Sequence, residues 1–218
     1  MSEAQERAWR ELAPRYLLEV PRDVASTSVR VGSAIDPALV YGRAAPLVVE
    51  IGTGQEHAIV HAAAADPERD FLGVEVFRAG LARTMLDAER AGVRNLRLAE
   101  ANAPEVLDHL LPAGGVAELW IFFPDPWHKK RHVKRRLVTE AFADTAARAL
   151  RAGGILRLAT DWADYAEQMR DVLDAAPGFV RAFEGEWALR FEGRVMTAFE
   201  RKGERAGRHI RDLAYRRT

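Results

Sequence analysis

Beginning at Pro46, short apolar runs alternate regularly with longer amphipathic stretches, and this pattern limits the chain to few folds. Residues 47–51 (LVVEI), 71–76 (FLGVEV), 95–101 (NLRLAEA), 116–123 (VAELWIFF) and 155–160 (ILRLAT) read as strands. Helical periodicity fills the intervals at 57–65, 79–91, 104–111 and 136–150, and returns at 162–176. Strands that are apolar along nearly their whole length are buried on both faces, and a helix after each strand makes a parallel crossover. The expected fold class is therefore α/β, a mostly parallel, Rossmann-like sheet with helices on both faces. Two weaker strands are expected near 179–184 (FVRAFE) and 195–200 (VMTAFE). A length of 218 residues suits one such domain, here residues 46–218. Residues 1–45, broken by Pro14, Pro21, Gly32, Pro37 and Gly42, read as an arm packed on the core or flexible beside it.

Ligands of doubly wound sheets sit at the carboxyl ends of the strands. The first strand ends in Glu50-Ile51-Gly52-Thr53-Gly54, where Gly52 and Gly54 allow a tight turn and close backbone approach. A dinucleotide fingerprint would need a third glycine at position 57, which is His57. Glu50 would repel a pyrophosphate but suits a cation, and S-adenosylmethionine is a sulfonium without phosphates. Glu75, at the end of the second strand, is placed to accept ribose hydroxyls, and Asn102, after the third, to bond an adenine edge. Each taken singly also reads as an ordinary strand-end turn residue.

The fourth strand runs into Phe122-Phe123-Pro124-Asp125-Pro126-Trp127, followed by HKKRHVKRR at 128–136. Two prolines restrict the backbone around Asp125 and hold its carboxylate out at the strand end. Trp127 offers a face for a purine, and the basic run can neutralise phosphates. The plainer reading is a rigid turn before a solvated helix start. Further on, Thr160-Asp161 reads as a cap for the next helix, and Asp161 also as a carboxylate that meets a base edge.

These motifs resemble the bacterial tRNA guanine-N(7)-methyltransferases. The resemblance runs from about residue 46 to the end of the sequence. It rests on Glu50-Ile51-Gly52-x-Gly54, Gly73-Val74-Glu75, the 122–127 segment with Lys129 and the run Arg131 to Arg136, Thr160-Asp161-Trp162 with Tyr165, and Thr197-x-Phe199-Glu200. It implies a class I S-adenosylmethionine-dependent methyltransferase that modifies a tRNA guanine, by family expectation guanine 46 of the variable loop. By the same resemblance Glu50, Gly52, Gly54, Glu75, Asn102 and Asp125 would serve the cofactor, with Asp125 also catalytic. Lys129, Asp161, Thr197, Phe199 and Glu200 would bind the substrate nucleoside. Trp127, Arg131, His132, Lys134, Arg135 and Arg136 would meet the RNA. The family loop usually carries a third glycine where this chain has Glu56.

Charge alone gives no hint of RNA, since 32 basic residues balance 32 acidic ones. The surplus is local, at 128–136 and in the last 18 residues, where seven Lys or Arg face Glu204 and Asp212. Absence of cysteine excludes disulfides and thiolate chemistry and fits the cytoplasm. No apolar run suits a membrane span or signal peptide, the histidines lack metal-site spacing, and no obligatory protein partner is inferred. Competing readings are an RNA-binding protein that has lost the donor at the Glu56 loop, a methyltransferase for a small amine or a protein, and, weakest, an NAD-linked oxidoreductase.

Overall fold

The computed structural model describes residues 1–54, 58–196 and 198–218. Seven strands form one sheet in the order β3-β2-β1-β4-β5-β7-β6. They are β1 (Leu47–Ile51), β2 (Asp70–Glu75), β3 (Leu96–Glu100), β4 (Val116–Phe122), β5 (Leu150–Thr160), β6 (Phe179–Arg181) and β7 (Arg211–Arg217). β1 to β5 are parallel, and β7 runs antiparallel between β5 and β6. Strand order reverses beside β1, so the crevice above β1 and β4 is the place where such sheets take ligands.

Every residue of β1 is buried, which matches its largely apolar run and leaves Glu50 as an ionisable group inside. One face of the sheet packs on α6 (Glu140–Ala149), α7 (Ala163–Ala175) and the helical turns at 103–110 through Leu107, Phe142, Tyr165 and Met169. The other packs on α1 (Glu3–Tyr16), α3 (Ala58–Ala65) and α4 (Arg78–Arg90) through Tyr16, Ile59, Leu81 and Met85. α1 starts at a capping box in which Ser2 and Gln5 satisfy each other's backbone N–H. The arm that follows pairs with the sheet edge, Leu18 N–H donating to the Leu98 carbonyl (2.8 Å), and its Thr27 carbonyl accepts the Asn102 N–H (2.7 Å). Two short helices complete the set, α2 (Pro37–Tyr41) and α5 (Ala103–Glu105).

Two expectations are corrected here. Among the described residues of 195–200 there is no strand: helix α8 spans Ala198–Arg205. Its Gly203 packs so tightly on Asp161 that an added Cβ would stand 3.1 Å from the carboxylate. The last strand is instead β7, in a segment that reads as a basic stripe. That stripe is partly consumed by the fold, with Arg208 on Asp161 (2.6 Å), Arg211 over the Trp187 ring (5.7 Å) and Arg217 donating to the Ala147 carbonyl (2.7 Å). No helix among the described residues is long and apolar enough to cross a membrane.

Candidate active site

The carboxyl ends of β1 to β4 surround a cleft of about 430 Å³. It brings together Glu50, Gly52, Gly54, Glu75, Asn102, Asp125, Trp127 and Arg135 of the residues named from sequence. Glu50 is only 4% exposed, and its Oε2 has no hydrogen-bond partner among the described residues. Burial pushes the Glu50 carboxyl up to about 8; the Ile59 N–H works against this and the neighbouring Glu75 charge adds to it. The Thr53 hydroxyl is also buried without a partner among the described residues. Two orphaned polar atoms in one cleft are costly unless a polar or cationic ligand meets them.

The glycine loop turns through left-handed backbone at Gly52 (φ 79°) and Gly54 (φ 53°), where a side chain would be strained. Glu75 ties this loop to the next strand end. Its Oε2 accepts the Gly54 N–H (3.0 Å), and Oε1 accepts those of Val76 (2.7 Å) and Phe77 (2.9 Å) just before α4. Asn102 is exposed and caps the following turn, Oδ1 accepting the Glu105 N–H at 3.4 Å. Both residues that sequence alone could read as turn formers thus do form turns, while still lining the cleft. Glu56 and His57 lie outside the described residues.

Sequence reasoning missed Gly80. It stands in the first turn of α4, and a Cβ there would come within 2.5 Å of the Gly54 carbonyl oxygen. Helix and loop can touch only because this residue has no side chain. Gly80→Ala is expected to push the loop off its position and weaken cofactor binding roughly tenfold or more, about 1.4 kcal/mol upward. The check is calorimetric titration with S-adenosylhomocysteine; unchanged affinity would show that the loop does not need this contact.

On the other side of the cleft, β4 ends at Phe122, and the Phe123 N–H donates to the Ala159 carbonyl at 2.8 Å. Phe123 (φ 51°) and Trp127 (φ 44°) are the non-glycine residues with left-handed backbone among those described. Each such residue costs on the order of 1–3 kcal/mol and persists where its surroundings hold it. The pair brackets Pro124-Asp125-Pro126, and Asp125 projects exposed at the cleft rim. Trp127 carries the Arg135 guanidinium over its ring at 5.1 Å and meets the His132 ring edge-on at 5.8 Å. One face expected to stack a base is therefore already covered by a cation. Lys129, Arg131, Lys134 and Arg135 are exposed on a short 3₁₀ segment spanning Lys130–Arg135 and at its start, with His132 half-buried. Arg136 does not join them: its side chain is 3% exposed and fully engaged inside the protein, so its expected contact with RNA is corrected.

Asp161 follows β5, and its Oδ2 accepts from Arg208 Nε at 2.6 Å. The capping reading fails in detail, because Trp162 is the N-cap of α7 and Thr160 Oγ1 accepts the Trp162 N–H (3.2 Å). Glu200 is 1% exposed and pairs with Arg190 (2.9 Å) and Arg194 (2.7 Å). Burial works to raise the Glu200 pKa, but these two guanidinium groups outweigh it and hold the carboxyl below the usual range. Arg194, also missed from sequence, is wholly buried and reaches on to Asp212 (2.9 Å) and toward the Phe123 ring (5.4 Å). It links α8, β7 and the end of β4. Thr197 and the Phe199 side chain lie outside the described residues.

A family model described as a putative methyltransferase matches residues 44–213. The tRNA (guanine-N(7)-)-methyltransferase of Cutibacterium acnes is 48% identical over 220 residues, covering 100% of this chain and 80% of its own. That of Paenarthrobacter aurescens is 44% identical over 261 residues, covering 98% and 87%, and that of Halorhodospira halophila 46% over 221 residues, covering 99% and 90%. Among solved structures, the 16S rRNA methyltransferase KamB aligns with a TM-score of 0.59 at 16% identity over 91% of this chain and 98% of that one. TrmN from Thermus thermophilus aligns at 0.56 with 19% identity over 84% of this chain and 47% of that one, and both likenesses concern the fold. A cleft with an orphaned buried carboxyl at the switch point of a parallel sheet, and relatives that match along nearly the whole chain, give one result: the chain belongs to the tRNA (guanine-N(7)-)-methyltransferase family, enzymes that use S-adenosylmethionine.

Proposed function

We propose that this chain transfers a methyl group from S-adenosylmethionine to the 7-nitrogen of a guanine in tRNA, at position 46 of the variable loop, in the cytoplasm. The observation that carries the reading is the single cleft in which an orphaned, buried Glu50 oxygen and the Glu75 carboxylate face the exposed Asp125. Bound S-adenosylmethionine supplies an electrophilic sulfonium methyl. Its donor set fits: Glu50 and the Thr53 hydroxyl would meet the charged methionine end, Glu75 the ribose hydroxyls and Asn102 the adenine edge.

The 7-nitrogen of guanine has a lone pair and no proton, so the chain needs no general base and works by positioning and charge. Asp125 would orient the base and stabilise the positive charge that develops on the purine ring. Asp161, with one oxygen committed to Arg208, would offer the other to the N1–H and amine of guanine, donors that adenine does not present in that pattern. Lys129, Thr197 and Phe199 would hold the nucleoside, while Glu200, buried on Arg190 and Arg194, would act only through those partners. Arg131, Lys134 and Arg135 would take phosphates, with His132 and Trp127 beside them.

The test uses labelled S-adenosylmethionine and two unmodified tRNA transcripts that differ only by guanine or adenine at position 46. The expected result is 7-methylguanosine in the first and no label in the second. Label at another guanine would move the site, and RNA binding without transfer would replace the enzyme by an RNA-binding protein.

A further inference from the structure

Arg136 closes the basic run yet points into the protein. Its Nε donates to the Pro126 carbonyl (2.8 Å), one Nη to Gln168 Oε1 (2.9 Å) and the other to Asp164 Oδ2 (2.7 Å), while the guanidinium lies over the Tyr165 ring at 4.8 Å. The socket is itself fixed. Gln168 Nε2 donates to the Val138 carbonyl (3.0 Å), and the Tyr165 hydroxyl accepts the Val138 N–H (3.1 Å). Three acceptors in different directions and a ring beneath suit a planar fork, which lysine cannot reproduce.

We propose that Arg136 is a positioning residue for methyl transfer and not a phosphate contact: by gripping the Pro126 carbonyl it locks the catalytic loop to the first turns of α7. The Pro126–Trp127 peptide is a rigid plane, so holding its oxygen sets both the ψ of Pro126 and the left-handed φ of Trp127. Released, that plane would rotate toward ordinary backbone, and Asp125, one residue before Pro126, would turn with it. The Trp127 ring would move as well. This inference rests on the reaction proposed above.

Two kinds of variant separate geometry from charge. Arg136→Lys keeps the charge and loses the fork; Arg136→Gln loses both. Asp164→Asn weakens the socket at a side chain that is 57% exposed, so it tests the idea even if an Arg136 variant folds poorly. Each is assayed at saturating tRNA, well below its own melting temperature, and its tRNA affinity is followed from low to high salt. Expected are a roughly 10- to 100-fold fall in kcat for Arg136→Lys, since small displacements of a reacting group have effects of that size, and a smaller fall for Asp164→Asn. The salt slope of tRNA binding should stay at the wild-type value in Arg136→Gln, whereas Arg131→Ala should flatten it by about 0.7–0.9, the loss of one phosphate contact. Wild-type kcat in Arg136→Lys or Asp164→Asn, or a flattened slope in Arg136→Gln, overturns the proposal. An inactive wild-type enzyme would instead remove the proposed reaction, and the positioning role with it.

Discussion

Asp125→Ala is expected to abolish most methyl transfer, lowering kcat roughly 10²- to 10³-fold, the usual effect of deleting one preorganised electrostatic group from a transition state. The argument is geometric. Asp125 is the carboxylate that the strained Phe123-to-Trp127 turn holds at the cleft rim, and no hydrogen bond ties it to the rest of the described fold. Removing it therefore takes little from the folded state, and melting temperature should change by no more than a degree or two, as for other exposed positions. Cofactor and tRNA affinities should move less than kcat, because the charge it stabilises exists only as the methyl transfers. Asp125→Asn keeps the shape and loses the charge, and should fall nearly as far. Single-turnover assays with equilibrium binding would decide, and an alanine variant of full kcat would remove Asp125 from the chemistry.

Glu50→Gln should have opposite effects on stability and binding. The Glu50 carboxyl titrates at about 8 in the fold, against an ordinary value of 4.5 in the unfolded chain. Between these values the folded state holds a proton that the unfolded state has released, so the ligand-free protein loses stability as pH rises from 4.5 to 8 and levels off above. The loss is on the order of a few kcal/mol. Glutamine cannot ionise, so this contribution to the decline should vanish, and the variant should be the more stable protein at pH 9 in denaturant unfolding without cofactor. Binding moves the other way. A cationic ligand restores the ionised form, so the wild type should release about one proton per cofactor bound near pH 7, which calorimetry in buffers of different ionisation enthalpy would read. The variant should release none and bind about 10- to 100-fold more weakly, the value of a charge-assisted hydrogen bond. Equal proton release by both would mean that Glu50 is not the group facing the ligand.

The strand-end half of the cleft was legible because its logic is local. A strand end, two glycines and one acidic residue fall within five positions, and the strand-end rule says where the next acidic residue must lie. What escaped depends on contacts between segments far apart in sequence. Gly80 matters only because α4 touches the Gly54 carbonyl, and Arg194 becomes interior only when Glu200 and Asp212 close on it. Arg136 was assigned by its neighbours, since a run of bases reads as one surface until the fold turns a single member inward. β7 was hidden for a similar reason: its burial comes from strands on both sides, and arginines at its ends mask the apolar Leu213, Ala214 and Tyr215 between them.

β7 is the last strand in chain order but lies inside the sheet, between β5 and β6. As the chain leaves the ribosome, β1 to β4 can close around the donor cleft while β5 still has an open edge. The Asp212 partner of Arg194, and with it the seat of Glu200, arrives only with residues 211–217. Chain order thus makes β7 the strand whose arrival seats the Arg194 pairs. A polypeptide halted before Arg211 would leave Arg194 without Asp212 and β5 and β6 with bare edges that recruit other chains, making it a ready target for quality control.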